Sequence, residues 1–172
     1  MHIRPATSAD ARILAEVYVE SFVDAYLCIL EEDILEGVTV EEAERRIRRS
    51  LKAGARIWVA VHKREGIVGF ISIAQSDGSF PEYPYEIERH FVLPSLQRRG
   101  LGRRLLEHAA AETIPNGRAP LLIWLPTRLQ ACSFFQHVGG QLLGTRPATI
   151  EGKVLEVSGF GVGPRGTTLL AN

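Results

Sequence analysis

A chain of 172 residues with 45% hydrophobic and 23% charged positions is the size of one domain and can bury a full core. Its 20 basic and 20 acidic residues cancel to a formal charge of zero, so no global field draws it to nucleic acid, and any grip on an anion must be local. Two cysteines, Cys28 and Cys132, without zinc-ligand spacing, and no apolar run of about 18 residues argue against a disulfide framework, a structural metal and a membrane span; the chain reads as a soluble cytoplasmic protein.

Residues 2–5 predict a short first strand. Thr7, Ser8 or Asp10 can cap a helix running to about residue 25, with Ile13, Leu14, Val17, Tyr18, Ser21 and Phe22 at helical spacing. A second helix over residues 40–53 is capped by Thr39, with Glu42 three residues on in a capping-box pattern. Its Arg45, Arg46, Arg48 and Arg49 form a basic face that, with Glu41, Glu42 and Glu44 on the same helix, reads as solvated ion pairs. Residues 56–62 and 67–74 are β-rich runs joined by a hairpin turn at 63–66. After the turn-rich segment 76–84, a third strand covers 85–93 and stops at Pro94. Residues 101–113 predict a helix, 121–125 a fully apolar strand, and 129–138 a helix closed by Gly139 and Gly140. Residues 141–145 and 153–161 read as a closing strand pair and 163–172 as a loose tail. This alternation of strands and helices predicts a mixed α/β domain.

Residues 91–106, FVLPSLQRRGLGRRLL, run from a strand through a glycine turn straight into a helix. The first N–H groups of a helix lack internal partners and lie at the positive end of its dipole. Gly100 and Gly102 remove side chains that would hold an anion off the backbone, and Arg98, Arg99, Arg103 and Arg104 add charge that a diphosphate accepts through forked hydrogen bonds. A dinucleotide fingerprint would need glycine where Leu105 stands, and a P-loop would need Gly-Lys-Ser/Thr; neither is present.

The hexapeptide Gln97-Arg98-Arg99-Gly100-Leu101-Gly102, after a strand ending in Val92-Leu93-Pro94, resembles the signature of the GNAT superfamily of N-acetyltransferases, Gln/Arg-x-x-Gly-x-Gly/Ala. The order of elements over residues 2–161 is similar to that family as well. The resemblance implies a single domain over residues 1–162, with a mixed, mostly antiparallel sheet of six to seven strands, about four flanking helices and a V-shaped splay beside the signature strand. It implies acetyl-CoA as cosubstrate, no metal, and transfer to a primary amine of a small molecule or peptide without a covalent enzyme intermediate. It allows a homodimer and implies neither a nucleic-acid nor a membrane partner. By the same resemblance His90, Phe91 and Val92 contact the pantetheine, and Gln97, Arg98, Arg99, Gly100, Leu101, Gly102 and Arg103 hold the pyrophosphate. A bulge near residues 88–90 would aim a backbone N–H at the thioester oxygen.

An alkylammonium with a pKa near about 10.4 has no lone pair at neutral pH, so the acceptor needs a base. Glu86, eleven residues before Gln97, matches the family's catalytic glutamate; Glu88 on the same strand face is second and His90, by its ordinary pKa, third. The family often shows Asn-x-x-Ala-x-x-Phe-Tyr-x-x-x-Gly-Phe after its last apolar strand, the Tyr protonating the leaving thiolate. Here Arg128 replaces the Asn, Phe135 the Tyr and Gly140 the final Phe, with Arg128 and Phe135 still expected beside the cofactor. A coenzyme A thiolate, with a pKa near a cysteine's, leaves tolerably without that acid. The alternative is a catalytically degraded acyl-CoA binding or sensing domain. Phe22, Tyr26, Tyr83 and Tyr85, with the acids around them, are the expected wall of an acceptor pocket for a cationic amine.

Overall fold

The computed structural model describes residues 1–114 and 119–163, so the expected tail lies, from residue 164 on, outside the described residues. Its elements run β1 (His2–Pro5), α1 (Ala11–Tyr26), α2 (Glu32–Glu36), α3 (Val40–Lys52), β2 (Arg56–His62), β3 (Gly66–Gln75), β4 (Tyr85–Val92), α4 (Leu101–Thr113), β5 (Leu121–Pro126), α5 (Ala131–His137), β6 (Gln141–Ile150) and β7 (Lys153–Val162). The seven strands form one mixed sheet in the order β1-β2-β3-β4-β5-β7-β6, in which β4 and β5 run parallel. Among the described residues there are five α-helices; the five-residue α2, acidic in its first turn, is too short to leave a periodicity in the sequence. No helix of the described residues is long and apolar enough to cross a membrane. The chain divides into two compact units, residues 1–73 with 89–109 and residues 74–88 with those from 110 on, and β4 contributes to both.

In the first unit, β1 pairs antiparallel with β2 and β2 with β3. The apolar stripe of α1 (Ala11, Leu14, Ala15, Val17) meets Ala43 and Ile47 of α3 over Ile57, Val59, Ile67 and Phe70 of the sheet. Each fully buried Leu, Ile or Phe there contributes roughly 1.5–3 kcal/mol. The entry to α1 is fixed by Asp10, whose carboxylate accepts two bonds from the Arg4 guanidinium at 2.8 Å and others from the Thr7 amide and hydroxyl. The Arg4 bond, first, and the Thr7 bonds hold the Asp10 carboxyl far below the usual range. Arg45, Arg46 and Arg48 pair with Glu42 and Glu44 at three- or four-residue spacing, and Arg49 reaches Glu42 two turns back at 3.8 Å.

The register of β2 on β3 slips between Ala60 and Val61, passing over Val68. The Val68 carbonyl accepts from the Leu93 amide at 2.9 Å, and a Cβ on Gly69 would lie 2.8 Å from the Phe91 carbonyl oxygen. Glycine at 69 is thus what lets β3 approach the end of β4 this closely, and that approach fixes where β4 releases the chain into the arginine loop.

In the second unit β7 lies between β5 and β6, antiparallel to both. The parallel pairing of β4 with β5 covers Tyr85↔Leu121 and Glu86↔Leu122, and both strands continue past it. β6 runs on to Ile150, five residues beyond its expected end at 145, because Pro147 sits on an edge strand, where its missing N–H costs no ladder bond.

Candidate active site

The signature loop belongs to the first unit. Leu93 leads into a short 3-10 turn, Pro94–Leu96, and α4 begins at Leu101, with the Gly100 carbonyl accepting from the Arg104 amide at 3.1 Å. Between them Arg98 has φ 59° and Gly100 φ 76°, while Arg99 is not in the left-handed region. This alternation of backbone hand turns successive amides toward one side and builds a concavity that fits an anion. Left-handed backbone costs an arginine roughly 1–2 kcal/mol, a strain that marks a functional turn. A Cβ on Gly100 would meet nothing within 4 Å, so the space in front of the turn is open. The loop therefore fits a diphosphate: bare amides, an open approach, and exposed guanidinium groups on Arg98, Arg99, Arg103 and Arg104.

The remaining loop residues divide by task. Leu101 is buried, so only its backbone faces outward. Gln97 donates from its side-chain amide to the Val92 carbonyl at 3.0 Å, tying the loop to the strand it leaves. Arg103 bonds Glu107 at 2.8 Å one turn along α4, which engages part of its charge. Phe91 points into the core, edge-on to Tyr18 at 5.2 Å and tilted against Phe70 at 5.9 Å, and Val92 is buried. At these two positions the backbone is what can meet a pantetheine arm. His90 is half-buried and bonded through Nε2 to the Gly102 carbonyl at 3.0 Å. Burial pushes its pKa down to about 4, outweighing the opposing pull of that carbonyl, so the ring is neutral near pH 7 with its proton on Nε2.

The second unit holds the acids. Glu86, the second residue of β4, stands half-buried opposite Leu122, and its carboxyl is pushed up to about 7, by burial first, then by Asp77, with Arg146 opposing and Glu88 adding slightly. Such a group is part carboxylate at neutral pH and able to take a proton. Glu88 is exposed. Asp77 accepts from the Arg146 guanidinium at 2.7 Å and from the Ser79 amide at 2.9 Å, an Asx turn. Its carboxyl is held at about 2 by the Ser79 bonds first and Arg146 next. Arg146 also lies over the Trp124 ring, its Cζ 4.0 Å from the ring centre, a contact of about 0.5–1 kcal/mol. Asp77, Ser79, Trp124 and Arg146 were not singled out from the sequence; the turn at 76–84 was legible, but its partner stands 69 positions along the chain.

The expected acceptor residues fall into two groups. Phe22 and Tyr26 stack in the first unit with ring centres 4.1 Å apart, both buried. In the second unit Tyr83 is buried, its ring occupying the space a Cβ on Gly161 would need, and Tyr85 is half-buried. Three of these four rings thus serve as packing. Arg128 is exposed. Phe135 is only 1% exposed and edge-on to Phe134, so its side chain fills core, and in this arrangement it has no open face for a cofactor. Its carbonyl accepts the Gly140 amide at 2.8 Å, and a Cβ at 140 would lie 2.6 Å from that oxygen. Gly140 is therefore where the chain crosses the end of α5 too closely for the family's Phe. Cys132 donates to the Pro126 carbonyl at 3.4 Å, and burial pushes its thiol up, away from a reactive thiolate.

Comparison with known proteins identifies the family and the fold. Residues 53–139 match the family model described as Acetyltransferase (GNAT) domain. A protein of Bacillus subtilis (strain 168), "Uncharacterized N-acetyltransferase YuaI", is 26% identical over 160 residues, covering 92% of this chain and 91% of that one. The crystal structure of a GCN5-related N-acetyltransferase from Rhodopseudomonas palustris superposes with a TM-score of 0.75 at 19% identity, covering 94% of each chain. That of yncA from Salmonella typhimurium, solved with its cofactor acetyl-CoA, has a TM-score of 0.67 at 20% identity, covering 95% of this chain and 93% of the other. The family match spans half the sequence and contains the strand, the loop and the helix built above, and the chain belongs to the GNAT acetyltransferases, as an acyltransferase of the N-acetyltransferase type.

Proposed function

We propose that the enzyme moves an acetyl group from acetyl-CoA to a primary amine of a small molecule or peptide in one step, with Glu86 as general base. The observation that carries this reading is the half-buried Glu86 carboxyl, poised at about 7 on the strand that leads into the anion loop. Acetyl-CoA supplies the activated acetyl group, and its thioester carbon is the atom the amine attacks. Glu86 takes the proton that frees the amine lone pair, the N–C bond forms, and the C–S bond breaks to release coenzyme A.

The amides of residues 98–103 and the guanidinium groups of Arg98 and Arg99 hold the diphosphate, and β4 offers its backbone at 90–92 to the pantetheine. A backbone N–H of β4 near residues 88–90 supports the thioester oxygen as charge develops on it. His90 is less suited to the base role, since its Nε2 already donates to Gly102 and its pKa is low. Direct transfer is favoured over a cysteine-bound acyl group because the Cys132 thiol is held protonated beside a carbonyl.

Thiol release with a panel of amines tests this. Glu86→Gln should lower kcat/KM by about 10²–10⁴ while coenzyme A affinity stays the same. Equal activity would move the base role to Glu88, His90 or solvent.

A further inference from the structure

The register of the second unit puts the expected base, Trp124 and Arg146 on one face of the sheet. Glu86 pairs with Leu122, Leu122 with Gly161, Trp124 with Gly159, and Arg146 with Val157. Residues 157, 159 and 161 alternate onto the same side of β7, so Glu86, Trp124 and Arg146 share that side. The two glycines leave the face low enough to receive rings: a Cβ on Gly159 would lie 2.9 Å from Trp124, and one on Gly161 2.4 Å from the Tyr83 ring.

The connection from β3 to β4 folds over this face. It closes on itself where the Ser76 amide meets the Pro84 carbonyl at 3.1 Å and the Ser76 hydroxyl meets the Tyr83 carbonyl at 2.6 Å, immediately before Tyr85 and Glu86. Phe80 lies along Trp124 at 6.0 Å and edge-on to Tyr83 at 6.3 Å. One side chain from another strand grips its tip: Arg146 reaches from β6 to Asp77 at 2.7 Å and to the Ser79 hydroxyl at 3.0 Å, and is itself fixed over Trp124.

We propose that Arg146 is a positioning residue, which by holding Asp77 and Ser79 keeps the β3–β4 connection down on the Trp124 face and so keeps water from the Glu86 carboxylate. The inference rests on the reading of Glu86 as the base. The charged and titratable groups facing Glu86 are Asp77 on the connection, Arg146 on β6 and Glu88 on its own strand, with Tyr83 and its neighbour Glu82 beside the turn. Arg146 acts on Glu86 by two routes of opposite sign. As a nearby positive charge it favours the carboxylate; as a tether that maintains burial it favours the protonated acid. Burial is the larger influence on Glu86, so the tether is the route that matters.

The test is a carbon-13 NMR titration of the Glu86 carboxyl in the full chain, its signal assigned by its loss in Glu86→Gln. Arg146→Gln should move the midpoint down, toward that of an exposed glutamate, with the acid limb of kcat/KM moving the same way, and Arg146→Lys should restore part of it. Ser79→Ala, which removes one grip without changing charge and leaves a surface position, should move it down by a smaller amount. An upward movement in Arg146→Gln, or no movement in Ser79→Ala, would overturn the tether, since a charge acting only through space gives those results. The two readings fail separately: full turnover in Glu86→Gln removes the base but leaves the titration decisive, whereas an inactive Glu86→Gln with an unmoved Arg146→Gln midpoint removes the tether alone.

Discussion

His90 donates from Nε2 to the carbonyl of Gly102 at 3.0 Å, joining the last turns of β4 to the first turn of α4. A carbonyl only accepts, so the proton on Nε2 is specified by the partner, and the low pKa keeps the ring in that form throughout the neutral range. The bond therefore sets the angle at which the helix presents its open amides. His90→Leu should weaken coenzyme A binding by about tenfold, the worth of one hydrogen bond, and His90→Gln, which keeps an N–H donor, should recover much of it. Calorimetry measures both. If Glu86 is the base, as proposed, an inflection of kcat/KM near pH 7 should persist in His90→Gln.

Gly100→Val places a branched side chain where φ is 76° and in the open space before the turn. Folding should suffer by only about 1–2 kcal/mol, the left-handed penalty. Coenzyme A affinity should fall by well over about tenfold, measured by the same calorimetry. Unchanged affinity would place the diphosphate elsewhere.

Glu86 also leaves a mark on stability. Its folded carboxyl titrates at about 7 against an ordinary 4.5, so between those values the folded chain keeps a proton that the unfolded chain has lost. Stability on this account falls as pH rises from about 4.5 to about 7, and the deficit is complete above that. Glu86→Gln should then equal the wild type in acid and exceed it above pH 7, by about 1 kcal/mol once solvent screening of the half-exposed group is allowed for. Thermal melting at two pH values, with a difference of about 2–4 °C expected only at the higher one, checks the sign.

Most of the fold was legible because its signals are local. The β-rich apolar runs of β2 and β3, the helical stripe of α1 and the glycine turn before α4 are each written in neighbouring residues. Thr39 caps α3 as its capping pattern implied, its hydroxyl accepting from the Glu42 amide. Two elements differ from expectation for physical reasons: α2 is too short for a helical periodicity to show, and β6 runs on through Pro147 because it is an edge strand. The candidate site was legible only where it is contiguous. Gln97 through Arg103 stand together in one loop, and Glu86 is proposed from the family's spacing to that loop. The Asp77–Arg146 pair could not, since β6 meets the β3–β4 connection only through the sheet order, which no local pattern encodes.

Phe135 shows the same limit from the other side. Its position suggested a missing catalytic tyrosine, but the structure gives it 1% exposure against Phe134. Phe135→Tyr would place a hydroxyl in filled core and should cost about 1–3 kcal/mol of stability without raising turnover. A melting curve beside a rate measurement separates that outcome from the catalytic gain the family pattern would imply.

The proposed chemistry depends on the backbone amides of residues 98–103 closing around a diphosphate. Titrating coenzyme A into nitrogen-15-labelled protein measures this most directly, because each amide that gains a phosphate oxygen moves downfield. The largest movements should fall on residues 98–103, with adenosine lacking phosphates leaving them in place. Movements of the same size elsewhere, with these six amides still, would contradict it.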